Sequence, residues 1–183
     1  MAQRTRGSKA IRLTLGITGA ALMVAVSAPA NAGQGLQGTF SVHFPKGHPA
    51  SNAPCPEDEF CGVGSLVQYG KATISIVDDT FDEIPGSSCL ATTRSEEIRL
   101  LDGTGTLALN SSGTFCRPGG SGDSNASDHS YGSPGTFSLT YVVDEAASTG
   151  RFANASGSGD ETMKVAGGVG TWKFAGTLSV SRA

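Results

Sequence analysis

In the stretch Thr136-Phe137-Ser138-Leu139-Thr140-Tyr141-Val142-Val143-Asp144, the residues Phe137, Leu139, Tyr141 and Val143 share one parity. In Thr171-Trp172-Lys173-Phe174-Ala175-Gly176-Thr177-Leu178-Ser179-Val180, Trp172, Phe174, Leu178 and Val180 share another, with Gly176 in the same row. Between the two lies the glycine-punctuated tract from Thr149 to Gly159. Alternation with a period of two, cut by glycine, is the pattern of antiparallel strands with one buried face. The chain therefore reads as all-β.

Outward from this stretch, eight strands are expected. The first runs from Leu36 to Phe44, with Leu36, Phe40, Val42 and Phe44 inward. The second covers Val67 to Asp78, with Ala72, Ile74 and Ile76 inward. The third and fourth flank Asp102-Gly103, a pair that favours a two-residue hairpin turn. The fifth is Thr136 to Asp144, and a short sixth covers Gly150 to Ala153. The seventh and eighth flank Gly167-Gly168, whose register sets Met163 opposite Trp172 and Val165 opposite Gly170. The parities agree across that turn, as a correct register requires. Pro45 to Ser65 and Arg117 to Gly135 read as long loops. Eight sequential antiparallel strands close into a barrel, which removes exposed edges. A two-sheet sandwich is the alternative.

Residues 1 to 32 read as a secretion signal: Arg4, Arg6, Lys9 and Arg12, then an apolar run from Leu13 to Val26, then Ala30-Asn31-Ala32. The apolar run falls short of the roughly 20 residues that span a bilayer. The expected mature domain is a single unit, residues 33 to 183, with no membrane insertion after cleavage. Removing four of the thirteen basic residues leaves nine against sixteen acids, a net charge of about −7. Such a domain is a poor partner for nucleic acid or an anionic membrane. The expected localisation is extracellular.

Secretion makes disulfides the default state of Cys55, Cys61, Cys89 and Cys116, whose spacings do not suit zinc. The Asp102-Gly103 turn pairs Ile98 with Leu107, and the same register carried outward pairs Cys89 with Cys116. Cys55 and Cys61 are then left for each other. The chain-entropy account assigns about 3.6 kcal/mol to the longer closure and about 2.4 to the shorter.

The tract from Gly150 to Gly159, followed by a last strand containing Ala175-Gly176-Thr177-Leu178, resembles the closing segment of allene oxide cyclase-like and dirigent-like barrels. That resemblance implies an eight-stranded antiparallel barrel with an apolar lumen, and in some members the steering of a reactive intermediate to one product. It transfers no catalytic residue to this chain, and the cysteines and long loops depart from it.

Among chemical signatures, the chain lacks a G-x-S-x-G elbow, an H-E-x-x-H helix, a P-loop and a Rossmann fingerprint. His43, His48 and His129 do not show metal spacing, and the acidic run from Asp123 to Asp128 lacks the EF-hand glycine and glutamate. No metal site and no cofactor is expected. Asn110, Asn125 and Asn154 begin N-x-S sequons.

The inward rows carry unexpected charges. Arg94 and Glu96 share a face with Ile98 and Leu100, Glu161 with Met163 and Val165, and Asp78 with Ile74 and Ile76. In an up-and-down barrel all four are expected towards one end, near the turns at Asp79–Ser88 and Ser156-Gly157. With Tyr141 and Trp172 from the aromatic rows they form the candidate ligand site. Arg94 suits a carboxylate, and a partly desolvated Glu96 or Glu161 suits proton transfer. Three functions are compatible with this reading. One is a secreted barrel binding a small apolar or amphipathic molecule. Another is a cyclase or isomerase acting through cavity shape and a carboxylate. The last is a structural or partner-binding protein with a filled core.

Overall fold

The computed structural model describes residues 34–43, 60–118 and 134–180, and every regular element among them is a β-strand. The strands are β1 (Gln34–His43), β2 (Phe60–Leu66), β3 (Gly70–Glu83), β4 (Cys89–Leu100), β5 (Gly105–Cys116), β6 (Gly135–Val143), β7 (Thr149–Gly150), β8 (Ala155–Ala166) and β9 (Val169–Val180). Eight of them form a closed antiparallel barrel. The ring runs β1-β2-β3-β4-β5-β6-β8-β9 and closes by the long pairing of β9 with β1. Because β4 also pairs with β5, the sheet has no free edge at that point, and the sandwich alternative is excluded.

Both hairpin registers expected from the sequence are present. Ile98 faces Leu107, and Cys89 faces Cys116 and is bonded to it. Met163 faces Trp172, and Val165 faces Gly170. Cys61 is also disulfide-bonded; its expected partner Cys55 lies outside the described residues. Phe44, His48 and His129 also lie outside them, as do the acidic run at Asp123 and the Asn125 sequon.

The strand list needs two corrections. The segment Phe60-Cys61-Gly62-Val63-Gly64-Ser65-Leu66, expected as loop, is β2, paired with β1 and β3 on its two sides. Its glycines disguise it, yet they are what lets it fit. A Cβ on Gly64 would stand 2.0 Å from the Thr39 carbonyl oxygen and 2.7 Å from Phe40. The strand expected at Gly150–Ala153 is not part of the barrel. Thr149–Gly150 adds only two residues beside β5, and residues 151–154 form a turn that leads into β8. One strand gained and one lost keeps the count at eight. It also reverses the direction assigned to every strand between them.

Consequently the Asp102-Gly103 and Gly167-Gly168 turns lie at opposite ends of the barrel. The end holding the 67–69, 101–104 and 144–154 connections is closed by its own side chains. Phe152 is fully buried there, with the Tyr69 ring 5.0 Å away and the Arg151 guanidinium 5.4 Å over Tyr69. Above this plug come Leu36, Leu66, Ile98, Leu107 and Leu178, all buried. Burial of this kind is worth about 1.5–3 kcal/mol per large apolar side chain.

Candidate functional site

Halfway along the lumen the apolar packing is interrupted. Arg94 and Glu96 come from the middle of β4, Ser111 from the middle of β5, Tyr141 from β6, Glu161 from β8, and Trp172 and Phe174 from β9. All seven are buried. The parity rule places them correctly, because in each strand they continue a row of core residues. Their height is not as expected. The cluster sits at mid-barrel, since Ser156-Gly157 lies inside β8 at the plugged end while the 84–88 turn is at the other.

Asp78 does not join them. A β-bulge at Val77 shifts the β3–β4 register, from Ile76 opposite Glu96 to Asp78 opposite Ser95. One inserted residue exchanges the two faces of everything beyond it. Asp78 is thus exposed, and Asp79 stands opposite Arg94 on the inner side. The exchange has a physical reason. It leaves Val77 half-exposed but turns the larger Phe81 towards the core, against the stacked rings of Phe115 and Phe137. Asp78 instead lines a shallow groove of about 330 Å³ with Thr80, Thr93, Ser95, Asn110 and Ser112, to which Arg94 and Ser111 also contribute.

The charges in the lumen are held by one another and by aromatic faces. Arg94 Nη1 is 3.9 Å from Glu96 Oε1, an ion-pair distance. The Arg94 guanidinium lies 3.8 Å from the centre of the Phe137 ring and 5.5 Å from that of Trp172, so cation–π attraction supports it from the side. Ser111 Oγ stands 3.2 Å from Glu96 Oε2 and 3.2 Å from Glu161 Oε2. A serine has one hydroxyl proton to donate. With both contacts made at once, Ser111 donates to one carboxyl while the other carboxyl carries its own proton.

Desolvation pushes Glu96 well above the usual carboxyl range, the nearby Glu161 charge pushes it further, and Arg94 only partly offsets them. Glu161 is also raised by burial, but Arg94, Glu96, Ser111 and the Trp172 indole all pull it back. Burial thus holds both carboxyls towards their neutral forms, and the single Ser111 proton requires that one of the two carries its own proton. Tyr141, desolvated and close to Glu161, is pushed up to about 12.

Tyr141 occupies its place because two glycines make room for it. Gly159 and Gly176 face each other across β8 and β9, beside Tyr141 on β6. A Cβ at Gly159 would stand 2.6 Å from Tyr141 Oη, and one at Gly176 only 2.3 Å. The gap in the Trp172, Phe174, Leu178 row is thus a seat for the phenol. Phe174 completes the wall, at 5.9 Å from Tyr141, 5.5 Å from Trp172 and 6.0 Å from Phe40 between ring centres.

Four buried polar atoms here make no hydrogen bond of standard geometry within the protein: Glu96 Oε1, Glu161 Oε1, Tyr141 Oη and Trp172 Nε1. The Trp172 N–H is near enough to Glu161 to stabilise its charge, without the alignment of a full hydrogen bond. The lumen is tight at this level, as Tyr141 and Trp172 are 0% exposed and Glu96 and Glu161 only 1%.

The structure thus brings together Arg94, Glu96, Glu161, Tyr141 and Trp172 of the expected site and leaves Asp78 outside it. Ser111 was missed, although the register that pairs Cys89 with Cys116 also pairs Arg94 with Ser111. A serine in an apolar row carries little weight until the carboxyls beside it are known. Among the described residues, no group of three metal-ligating side chains converges. No protein family, curated protein or solved structure matches the chain.

Proposed function

We propose that this chain is a secreted barrel that binds one small amphipathic molecule in its lumen, with the apolar part against the aromatic walls and the polar end at Glu96, Glu161, Tyr141 and Trp172. The observation that carries this reading is the set of four buried polar atoms without full hydrogen bonds. Buried polar groups left in this state cost about 1–3 kcal/mol each, and an apolar filling of the same volume would be at least as stable. Stability alone does not account for them, whereas a ligand carrying a hydroxyl or carbonyl would satisfy them.

The charges refine the ligand's character. With one of the two carboxyls protonated, Arg94 balances the other, so the ligand is neutral overall. Because the lumen is tight at this level, binding requires the surrounding side chains to give way. Secretion is supported by the leader-like residues 1 to 32 and by the disulfides. The proposed relation to allene oxide cyclase-like and dirigent-like barrels rests on the glycine-rich closing tract and agrees with an eight-stranded ring.

A second reading has its own observation. The near-zero exposure of Trp172, Tyr141 and Glu96 suits a filled barrel that acts through its outer surface. Native mass spectrometry of protein purified from its own source separates the two. A co-purifying small molecule, released on unfolding and accompanied by a change in Trp172 fluorescence, supports the lumen site. Protein at its bare sequence mass, with fluorescence unmoved by a panel of small aromatic ketones and alcohols, supports the filled barrel.

A further inference from the structure

We propose that Glu96, Ser111 and Glu161 form an acid–base relay that isomerises a bound neutral compound carrying an enolisable carbonyl group. This deepens the lumen-binding reading and rests on it. Three features of the geometry point to it. First, two carboxyls converge on one hydroxyl, Ser111 Oγ being 3.2 Å from an oxygen of each, so a proton has a path between them that does not cross solvent. Second, the two carboxyls also interact directly with each other, and each keeps an oxygen, Oε1, that is buried without a hydrogen bond of standard geometry and so is able to reach substrate. Third, the groups around them suit the oxygen of an enolate. The Arg94 guanidinium lies beside Glu96, and the Trp172 N–H and Tyr141 O–H are buried donors in the same layer. Groups of this kind stabilise developing negative charge in a dry site.

The chemistry balances without a cofactor. Glu161 takes a proton from the carbon next to the carbonyl, breaking that C–H bond and forming the C=C bond of an enol. As the carbonyl π bond opens, Glu96 gives its proton to the oxygen. The enol then returns its O–H proton to Glu96, and the protonated Glu161 delivers its proton to a carbon of the same conjugated system. When the proton on Glu161 has first been swapped through Ser111 for a deuteron that the site took up from solvent between turnovers, redelivery to the original carbon exchanges its hydrogen, and delivery to a different carbon moves the double bond. Ser111 passes a proton between the carboxyls when they are out of step, restoring neutral Glu96 and anionic Glu161. A neutral acid and an anionic base side by side are the pair that this reaction needs, and the Ser111 bridge, with one proton for two carboxyls, is what calls for a carboxyl of each kind.

The probe is phenylacetone, whose ring suits the aromatic wall and whose benzylic hydrogens are the exchangeable ones. The whole secreted protein is incubated with it in deuterium oxide, and loss of the benzylic signal is followed by proton NMR. Binding is read separately from the fluorescence of Trp172, the only tryptophan of the chain. Expected are a saturable fluorescence change and exchange faster than in buffer. Acid–base catalysis contributes on the order of 10²–10⁴-fold, so Glu96→Gln should lose at least ~10²-fold or fall to the buffer rate while still binding. Glutamine has the shape of the neutral acid, so this variant keeps the charge balance of Arg94 and Glu161; Glu161→Gln is the second variant, with near-ultraviolet circular dichroism of Trp172 confirming the fold. Binding with exchange at the buffer rate overturns the relay and leaves the binding site standing. Exchange unaffected by either variant overturns the relay as well. No fluorescence change and no exchange overturns the lumen site together with it.

Discussion

The plugged end of the lumen and its middle are built by the same strands, yet they are held by opposite means. At the plugged end Leu36, Leu66, Ile98, Leu107, Leu178 and Phe152 fill the space with carbon. Further along the lumen, Arg94, Glu96, Ser111 and Glu161 fill it with charge and hydroxyl. The first layer needs no explanation beyond the removal of apolar surface from water. The second must recover the cost of desolvating three ionisable groups, and it does so through one ion pair, two contacts to Ser111 and the faces of Phe137 and Trp172. The contrast shows where this barrel gives up stability, and so where function is to be sought.

The largest expected effects test whether the two layers share a common aromatic frame. Phe152→Ala and Trp172→Ala should each destabilise by about 3–5 kcal/mol, because each ring is fully buried. The consequences should differ in kind. Loss of Phe152 opens the plugged end and leaves the charges in place. Loss of Trp172 also removes a wall of the Arg94 site. Urea unfolding gives both free energies. An unchanged midpoint for Phe152→Ala would mean that the end is not closed as described.

The frame itself was legible in the sequence, and the reason is local. A two-residue turn fixes a register, and every pair that follows is then determined. Asp102-Gly103 thereby placed Cys89 against Cys116, and Gly167-Gly168 placed Met163 against Trp172. Charges in apolar rows located Arg94, Glu96 and Glu161 for the same reason. What stayed hidden was non-local or irregular. The glycines of β2 conceal its alternation, because their reason for being there is the neighbouring Thr39 and Phe40 backbone. Val77 carries no mark of a bulge, and the exchange of Asp78 for Asp79 follows only once Phe81 is seen turning inward. A tally of strands concealed both errors, since β2 and the lost strand cancel.

A second pair of variants addresses the charged layer alone. Arg94→Ala removes the cation beside Glu96 and Glu161 and uncovers the Phe137 face. Breaking a buried ion pair from one side costs about 3–5 kcal/mol when the remaining charge cannot be neutralised. Here Glu96 is already held towards its neutral form, so the loss should fall at the lower end of that range. Replacing the whole layer, as Arg94→Met with Glu96→Leu and Glu161→Leu, should instead be neutral or raise stability by about 1–4 kcal/mol. The two layers of the lumen would then be alike in chemistry. If the triple variant is much less stable than the native chain, the charges are structural and the contrast drawn above fails. If it is more stable but no longer changes its Trp172 fluorescence with ligand, the layer is a site.

The smallest expected effect is a slope with pH, and it distinguishes the layers without altering their packing. The buried plugged layer of Leu36, Leu66, Ile98, Leu107, Leu178 and Phe152 is carbon only. Asp102 on the exposed turn below it, held low by Thr104, acts in the opposite sense and only under acidic conditions, so a fall in stability towards neutrality comes from the middle. Glu96 has a folded pKa raised above that of the unfolded chain, first by burial and then by Glu161. An unfolded glutamate titrates near ~4.3. Below that pH the carboxyl is neutral in both states, and the favourable burial of the neutral acid is fully present. As the pH rises above it, the unfolded chain releases its proton first and gains free energy that the folded chain does not. The stabilisation is therefore lost progressively until the folded pKa is passed. Glu161, raised in the same direction, adds to the slope. Stability measured by urea at a series of pH values should accordingly fall from mildly acidic conditions towards neutrality. Glu96→Gln cannot ionise and should flatten most of that fall while leaving acidic stability nearly unchanged. An identical slope in the variant and the native chain would mean that Glu96 keeps its charge in the barrel, that Ser111 donates to both carboxylates in alternation, and that the middle of the lumen is an ordinary salt bridge after all.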